Sequence, residues 1–524
     1  LVGSEMCIRD RLKHNSKYTI MIQKIYTTFI SFAFAALTLS SCSDWLDLYP
    51  SDEIKEEYLF SSGDGFRTAT NGIYRKMATF DLYGSNLTWG ILDAWAQAYY
   101  IEQAPSIAGG TPMRKIAELA FKNTELVPVT DAMWKAAWNV VANCNELAQQ
   151  AVQADPNLFY GLDSERQMIL GEAIGLRAFV QFDLLRIYAP SPSSVGFRED
   201  NRTFIPYVNV YPSYINDHQT VNYCLEQIIA DLKEAQRILE EVDKESKMNA
   251  NSRFNINEVS QSQFAGSRGY RLNYYAVTAE LARVYLYAGK NAEAYAEAKK
   301  IIDEENETGY FKASTSSSGF RNGNMKMYND IIFGLYSPKE LVEWDQEINH
   351  GSDGSSEEHY LCLDSEVAKE LYGDEKDSDW RFKYQLEEMY YGYYYRTLKY
   401  YKQTESTTVG ITNNQTIPMI RMSEVYYIAA EAIFDTNPQE AQGYLELVKK
   451  GRGVSKKFDN VTNKSEFINL LVNDARREFL GEGQIFYMYK RLNRTMPASS
   501  YYSNPVLPTD ENMILPKPDS ESNI

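Results

Sequence analysis

Between Asn273 and Ile302 the chain repeats small and aromatic residues at the spacing of two helices folded back on each other. Leu281, Ala282, Tyr285, Gly289, Ala294 and Ala298 fall where a tetratricopeptide helix hairpin places such residues. Ala282 and Ala294 let the two helices approach closely, Tyr285 fills the gap between them, and Gly289 ends the first helix. A second hairpin of this kind is legible in Ile420–Gly451, from Val425, Ile428, Ala429, Glu440, Ala441 and Leu445. One hairpin cannot bury its own apolar face, so such units stack. Three further segments supply helices for the stack. Asp131–Val152 carries Trp134, Trp138, Val141, Asn145 and Ala148 on one stripe. Ser164–Tyr188 opens with Ser164 and Gln167 as a capping box. Val221–Leu239 turns Leu225, Ile228, Ile229, Leu232 and Ala235 inward. Phe66–Phe80 reads as a shorter helix and Ser465–Arg491 as a final one.

Residues 303–418 have a different composition, rich in Ser, Gly, Asn and Tyr. Within them Lys383–Tyr401 groups Tyr384, Tyr390, Tyr391, Tyr393, Tyr394, Tyr395, Tyr400 and Tyr401. This predicts a β-hairpin turning near Gly392. Tyrosine favours strands and cross-strand pairs, so a structural ladder explains the group better than a ligand platform does. The expected fold is mostly α: a tetratricopeptide-like helix-hairpin scaffold with an inserted loop-rich region, about 303–418, containing short β-hairpins.

The N-terminal region follows a different logic. From Met21, Lys24 precedes the apolar run Ile25–Leu39, then Ser40, Ser41 and Cys42. A basic start, an apolar core and small residues make a secretory signal, and a cysteine directly after them reads as a lipobox. Residues 21–41 are therefore expected to be a signal peptide and Cys42 the site of lipid attachment. Ile25–Leu39 is shorter than the roughly 20 residues a spanning helix needs. Leu1–Arg11 matches nothing expected upstream of such a signal, so residues 1–20 read as gene-calling read-through. The remaining 42–524 reads as one large domain.

Charge and motifs exclude several activities. A net charge of −18 repels phosphate backbones and argues against a nucleic-acid partner. Cys144, Cys224 and Cys362 are far apart with no CxxC, so neither a disulfide framework nor a zinc site is expected. His218, His350 and His359 are scattered, and His350 and His359 share a polar loop. No Walker A loop, GxSxG or HExxH occurs. With 71 acidic residues a glycosidase pair of carboxylates stays open, but the sequence singles none out. No catalytic residue, metal or cofactor is assigned.

Several motifs carry a resemblance. Cys42-Ser43-Asp44-Trp45-Leu46-Asp47 is one. Gly171–Phe179 leading into Phe182–Tyr188 is a second, and Ala279–Tyr287 a third. Ile420–Tyr426 with Ala430, Glu431 and Ala432 follows, then Arg476-Arg477-Glu478-Phe479 with Glu482-Gly483, and finally Leu515-Pro516-Lys517-Pro518. Together they resemble the SusD/RagB family of outer-membrane nutrient-binding lipoproteins of Bacteroidetes, from Cys42 to the C-terminus. One motif departs. After Glu482-Gly483 that family commonly has an arginine and then an aspartate, where this chain has Ile485 and Met488. The charged motif residues Arg177, Asp183, Arg186, Arg421, Glu424, Glu431, Arg476, Arg477 and Glu478 sit at helical spacing beside apolar positions. They read as buried or half-buried ion pairs between packed helices, fixing helix register, rather than as catalytic groups.

The resemblance implies a non-catalytic lipoprotein anchored in the outer membrane and facing the exterior. It would capture an oligosaccharide or a peptide and pass it to a SusC-like TonB-dependent transporter barrel. Peptide binding on the same scaffold and a lipid-anchored glycosidase remain the alternatives. Sugar recognition needs aromatic faces for the pyranose C–H surface and polar side chains for its hydroxyls. Trp89, Trp95 and Tyr100, near Asn86, Asp93 and Gln97, lie in a segment that resembles the family's ligand-facing region. Trp344 stands in a polar loop between Glu343 and Asp345. These four aromatics are the candidate ligand contacts, whereas Trp134 and Trp138 are expected in the core.

Overall fold

A computed structural model describes residues 56–100, 112–197, 200–246, 253–254, 263–337, 361–401, 403, 407–458, 460–498 and 504–521. Cys42 and Trp344 fall outside them, as do the expected signal peptide and the first 20 residues.

The helical scaffold is built from α1 (Gly63–Met77), α2 (Ile91–Trp95), α3 (Val127–Gln153), α4 (Leu162–Tyr188), α5 (Val221–Ser246), α6 (Tyr274–Tyr287) and α7 (Asn291–Thr308). After a strand-bearing segment come α9 (Met422–Ile433), α10 (Pro438–Gly451), α11 (Lys464–Glu478) and α12 (Gln484–Arg491), with α8 (Ser365–Tyr372) inside that segment. Contacts run α3 on α4, α4 on α5, α5 on α6, α6 on α7, α7 on α9 and α9 on α10, a continuous stack. The fold is the expected one, mostly α with paired helices.

The two hairpins form where their small residues predict. Ala282, Ala294 and Ala298 are fully buried between α6 and α7, and Ala441 and Leu445 between α9 and α10. Side-chain caps start these helices. Asn273 accepts from the Ala276 amide at 3.0 Å, and Asn437 from Glu440 at 3.1 Å. Close approach also marks α4 and its neighbours. A Cβ at Gly175 would lie 2.5 Å from Leu272 Cδ2.

Two boundaries differ from the sequence reading. The fourth helix starts at Leu162 without a side-chain cap, not at a Ser164 capping box. The Glu165 carboxylate accepts from the Gly161 amide at 2.8 Å and is held by Arg67 Nε at 2.6 Å. The expected final helix is two, α11 and α12, because Gly481 and Gly483 take φ of 84° and 72° between them. A Cβ at Gly483 would also stand 2.7 Å from the Leu87 carbonyl oxygen.

Among the described residues the strands are short. β1 (Ile331–Tyr336) pairs antiparallel with β5 (Thr416–Arg421). β2 (Cys362–Asp364), β3 (Leu386–Met389) and β4 (Tyr394–Thr397) make a three-stranded sheet in the order β2-β4-β3. β3 and β4 are the expected hairpin, turning through Tyr390–Gly392. Cys144, Cys224 and Cys362 are buried thiols, and burial pushes each up to about 12. No described helix is long and apolar enough to cross a membrane.

Guanidinium–carboxylate clusters tie the layers together. Glu478 of α11 takes Arg421 and Arg452 at 2.5 Å and Arg381 at 3.0 Å. Arg381 also grips Asp474 at 2.7 Å and Asp379 at 2.8 Å. Glu482 bridges Arg421 at 2.8 Å and Lys399 at 2.6 Å. Arg177 pairs with Asp231, Arg186 with Asp183, Glu424 with Arg283, Glu431 with Arg491, and Arg477 with Glu375. Eight of the nine motif charges are therefore ion-paired, but Asp183 and Arg186 pair within α4 and fix no register between helices; no ion pair of Arg476 is found among the described residues.

One carboxyl is out of balance. Glu280 of α6 accepts from Arg283 at 2.6 Å through one oxygen, and its other oxygen meets no donor among the described residues. Asp183 and Arg186 face it from α4 and Glu424 from α9. Burial pushes its pKa up to about 7, against the pull of Arg283 and Arg186. An acid raised in the folded state stabilises fully below its unfolded pKa and loses that contribution as pH climbs through 7. Glu280→Gln should therefore gain on the native protein by about 2 kcal/mol between pH 5 and pH 8. Urea unfolding of both at the two pH values measures it, and parallel behaviour would refute it.

Candidate functional site

Trp89 and Trp95, two of the expected ligand contacts, are core residues. Both are 0% exposed. Trp89 donates its indole N–H to the Gly84 carbonyl at 2.8 Å, and its ring lies 6.2 Å from Tyr400. Trp95 donates to the Asn512 carbonyl at 2.8 Å and stacks on Phe486 at 3.9 Å. No sugar reaches either face. Their polar neighbours turn inward too: Asp93 is fully buried, and Asn86 and Gln97 are nearly so. Trp134 is buried and Trp138 packs partly buried against the core, as expected.

Tyr100 is the exception. It is half-buried, and its amide donates to the Cys362 carbonyl at 2.8 Å, fixing it beside β2. Its ring lies 4.8 Å from that of Tyr394 on β4, at an interplanar angle of 31°. Tyr394 is placed by two registers, opposite Asp364 on β2 and Met389 on β3. Tyr393 follows at 6.5 Å from Tyr394 and is 64% exposed. At the hairpin turn Tyr391 is 95% exposed, on left-handed backbone with φ 56°. A non-glycine residue held there is strained, and such strain gathers at functional surfaces.

The tyrosine group thus divides. Tyr395 packs against Phe382 at 5.0 Å and Tyr400 is buried, donating to the Gly481 carbonyl at 2.7 Å. These are the structural tyrosines the sequence reading expected. Tyr391, Tyr393 and Tyr394, which that reading did not assign to a ligand, join the candidate Tyr100 as rings at or near the surface. The signal was present as tyrosines crowded on both sides of Gly392, where strand alternation must send some outward. Around them Glu387 and Glu388 are exposed on β3, and Arg396 is paired with Glu387 at 2.5 Å. Aromatic faces near an exposed carboxylate such as Glu387 can stack a pyranose and accept from its hydroxyls, while Arg396 is itself buried.

The sequence profile of the SusD family matches residues 235–512, more than half of the chain. The chain belongs to the SusD family. Solved structures share its fold. A SusD superfamily protein from Bacteroides thetaiotaomicron is 22% identical with a TM-score of 0.64, covering 88% of this chain and 98% of its own. A putative sugar binding protein from Bacteroides vulgatus is 20% identical with a TM-score of 0.65, covering 88% and 96%. Surface glycan-binding protein A from Bacteroides thetaiotaomicron, in complex with laminarihexaose, is 16% identical with a TM-score of 0.60, covering 88% and 98%. At these identities the likeness is one of fold. No curated protein sequence matches this SusD-family chain. Two positions set its α12 apart from the expected family pattern: Ile485 is buried in the core, and Met488 packs partly buried against it.

Proposed function

We propose that this SusD-family protein is a non-catalytic surface lipoprotein that captures glycan oligomers and hands them to a TonB-dependent transporter barrel in the outer membrane. The observation that carries the reading is the ring cluster Tyr100–Tyr394–Tyr393 with the exposed Tyr391, in a chain of this family. Its fold neighbours add support, since one is described in complex with laminarihexaose and another as a laminarin binding SusD-like protein. Attachment rests on Cys42, whose sequence context is that of a lipidated cysteine.

Native gels cast with laminarin and a panel of other polysaccharides test capture. Retention by at least one is expected, and Tyr394→Ala with Tyr393→Ala should weaken it about tenfold, the loss of two stacking contacts of about 0.5–1.5 kcal/mol each. Unchanged retention would move the site elsewhere, and binding confined to peptides would replace the ligand class. Release of reducing sugar during incubation would overturn the non-catalytic reading. Labelled palmitate should enter the protein and should not enter Cys42→Ser.

A further inference from the structure

The segment that delivers Tyr100 to the surface is held from inside by one carboxylate. Asp93 stands in the middle of the short helix α2, is fully buried, and accepts three hydrogen bonds. The Gly481 amide donates at 2.6 Å and the Gly483 amide at 2.9 Å, both from the turn between α11 and α12. The Tyr99 hydroxyl donates at 3.1 Å. The two amides belong to backbone that is itself held in place. The Gly481 carbonyl is tied to the Tyr400 hydroxyl at 2.7 Å, and a Cβ at Gly483 has no room. Tyr99 is thus the one member of the triangle on the same segment as Tyr100.

Between Asp93 and Tyr99 the chain makes a sharp reversal. Ala98 donates its backbone N–H to the Asp93 carbonyl at 3.0 Å, and Gln97 sits at φ 59° with its side-chain Nε2 donating to the Ala117 carbonyl at 3.0 Å. A left-handed glutamine persists only where its surroundings hold it. Beyond it Tyr99 turns inward, 3% exposed, and Tyr100 turns toward Tyr394. Lys399 and Tyr400 face Asp93 from the segment after β4, and Lys399 is itself engaged by Glu482 at 2.6 Å. The carboxylate is therefore committed to hydrogen bonds rather than to an ion pair of its own.

We infer that Asp93 is the positioning residue of the stacking pair: gripped by Gly481 and Gly483 on one side, it fixes Tyr99 on the other and so sets Tyr100 against Tyr394. Asp93 touches no ligand and acts through Tyr99. The inference rests on the glycan-capture reading for its consequence, but its geometry is measurable without any ligand.

Tyr99→Phe tests it, because it removes one hydroxyl and leaves the carboxylate, both glycine amides and the ring packing in place. Two quantities are read, hydrogen exchange at the Tyr100 amide and retention in laminarin gels, with the melting temperature beside them. The Tyr100 amide should exchange about tenfold faster, as loss of a buried hydrogen bond allows, and laminarin retention should fall with the melting temperature unchanged. Asp93→Asn, which sets an amide N–H against the glycine amides, should reproduce both effects more strongly if it folds. Unchanged exchange at Tyr100 in Tyr99→Phe overturns the inference whatever the gels show. A fall in melting temperature with faster exchange throughout the core also overturns it, since that is a purely structural role. Faster exchange confined to Tyr100, in a protein that no polysaccharide retains, supports the positioning and refutes the capture reading.

Discussion

Glu478→Gln is expected to leave little or no folded protein. Glu478 is 2% exposed and answers three guanidiniums that arrive from separate parts of the chain, Arg381, Arg421 and Arg452. These partners hold its carboxyl well below the usual range despite burial. Removing one member of a buried pair costs about 3–5 kcal/mol, because the other charge stays buried without compensation. Here one neutral amide would face three cations, and a domain has only about 5–15 kcal/mol to lose. Soluble yield and the urea midpoint measure the effect. Arg421→Met should follow the same course, taking from Glu482 the guanidinium on one of its oxygens and leaving it only Lys399 on the other, while Glu478 keeps Arg381 and Arg452. A folded Glu478→Gln that melts within a few degrees of the native protein would show that the cluster contributes little to stability.

Trp95→Ala should cost about 3–5 kcal/mol, the range for a large aromatic removed from a packed core. The ring is sandwiched by Phe486 at 3.9 Å and Phe121 at 5.2 Å, and its N–H satisfies the Asn512 carbonyl. The substitution would therefore open a cavity and orphan an acceptor in one step. Its effect should appear in denaturant unfolding. Glycan retention per folded molecule should stay within about twofold, because Trp95 offers no surface for stacking. A variant that keeps full stability and loses retention would return Trp95 to the ligand site.

What the sequence conveyed depended on how local the cause was. Ala282, Ala294 and Ala298 announce close helix packing because every partner lies within one hairpin. The break between α11 and α12 was also written locally, in two glycines two positions apart, but a strong apolar period on both sides masks it. The start of α4 was not legible, since Glu165 is recruited by Arg67, 98 positions earlier. The same holds for Trp89 and Trp95. Aromatics beside Asn86, Asp93 and Gln97 look like a sugar site in one dimension, yet Asp93 is there to meet amides 388 and 390 positions away. Among the tyrosines around Gly392 the strand reading was right for Tyr395. It missed that a hairpin turn must leave Tyr391 and Tyr393 outside.

The same wiring bears on how such proteins can change what they hold. Asp379 and Arg381 stand just before β3, and both are bound to α11 through Asp474, Glu478 and Arg477. The tyrosine-bearing hairpin therefore grows out of the electrostatic centre of the molecule. Swapping it between relatives as a self-contained cassette would carry a guanidinium into a new host that must already own the matching acids. Diversity in this surface is better gained ring by ring at the turn, where Tyr391 and Tyr393 can be exchanged without disturbing those buried charges.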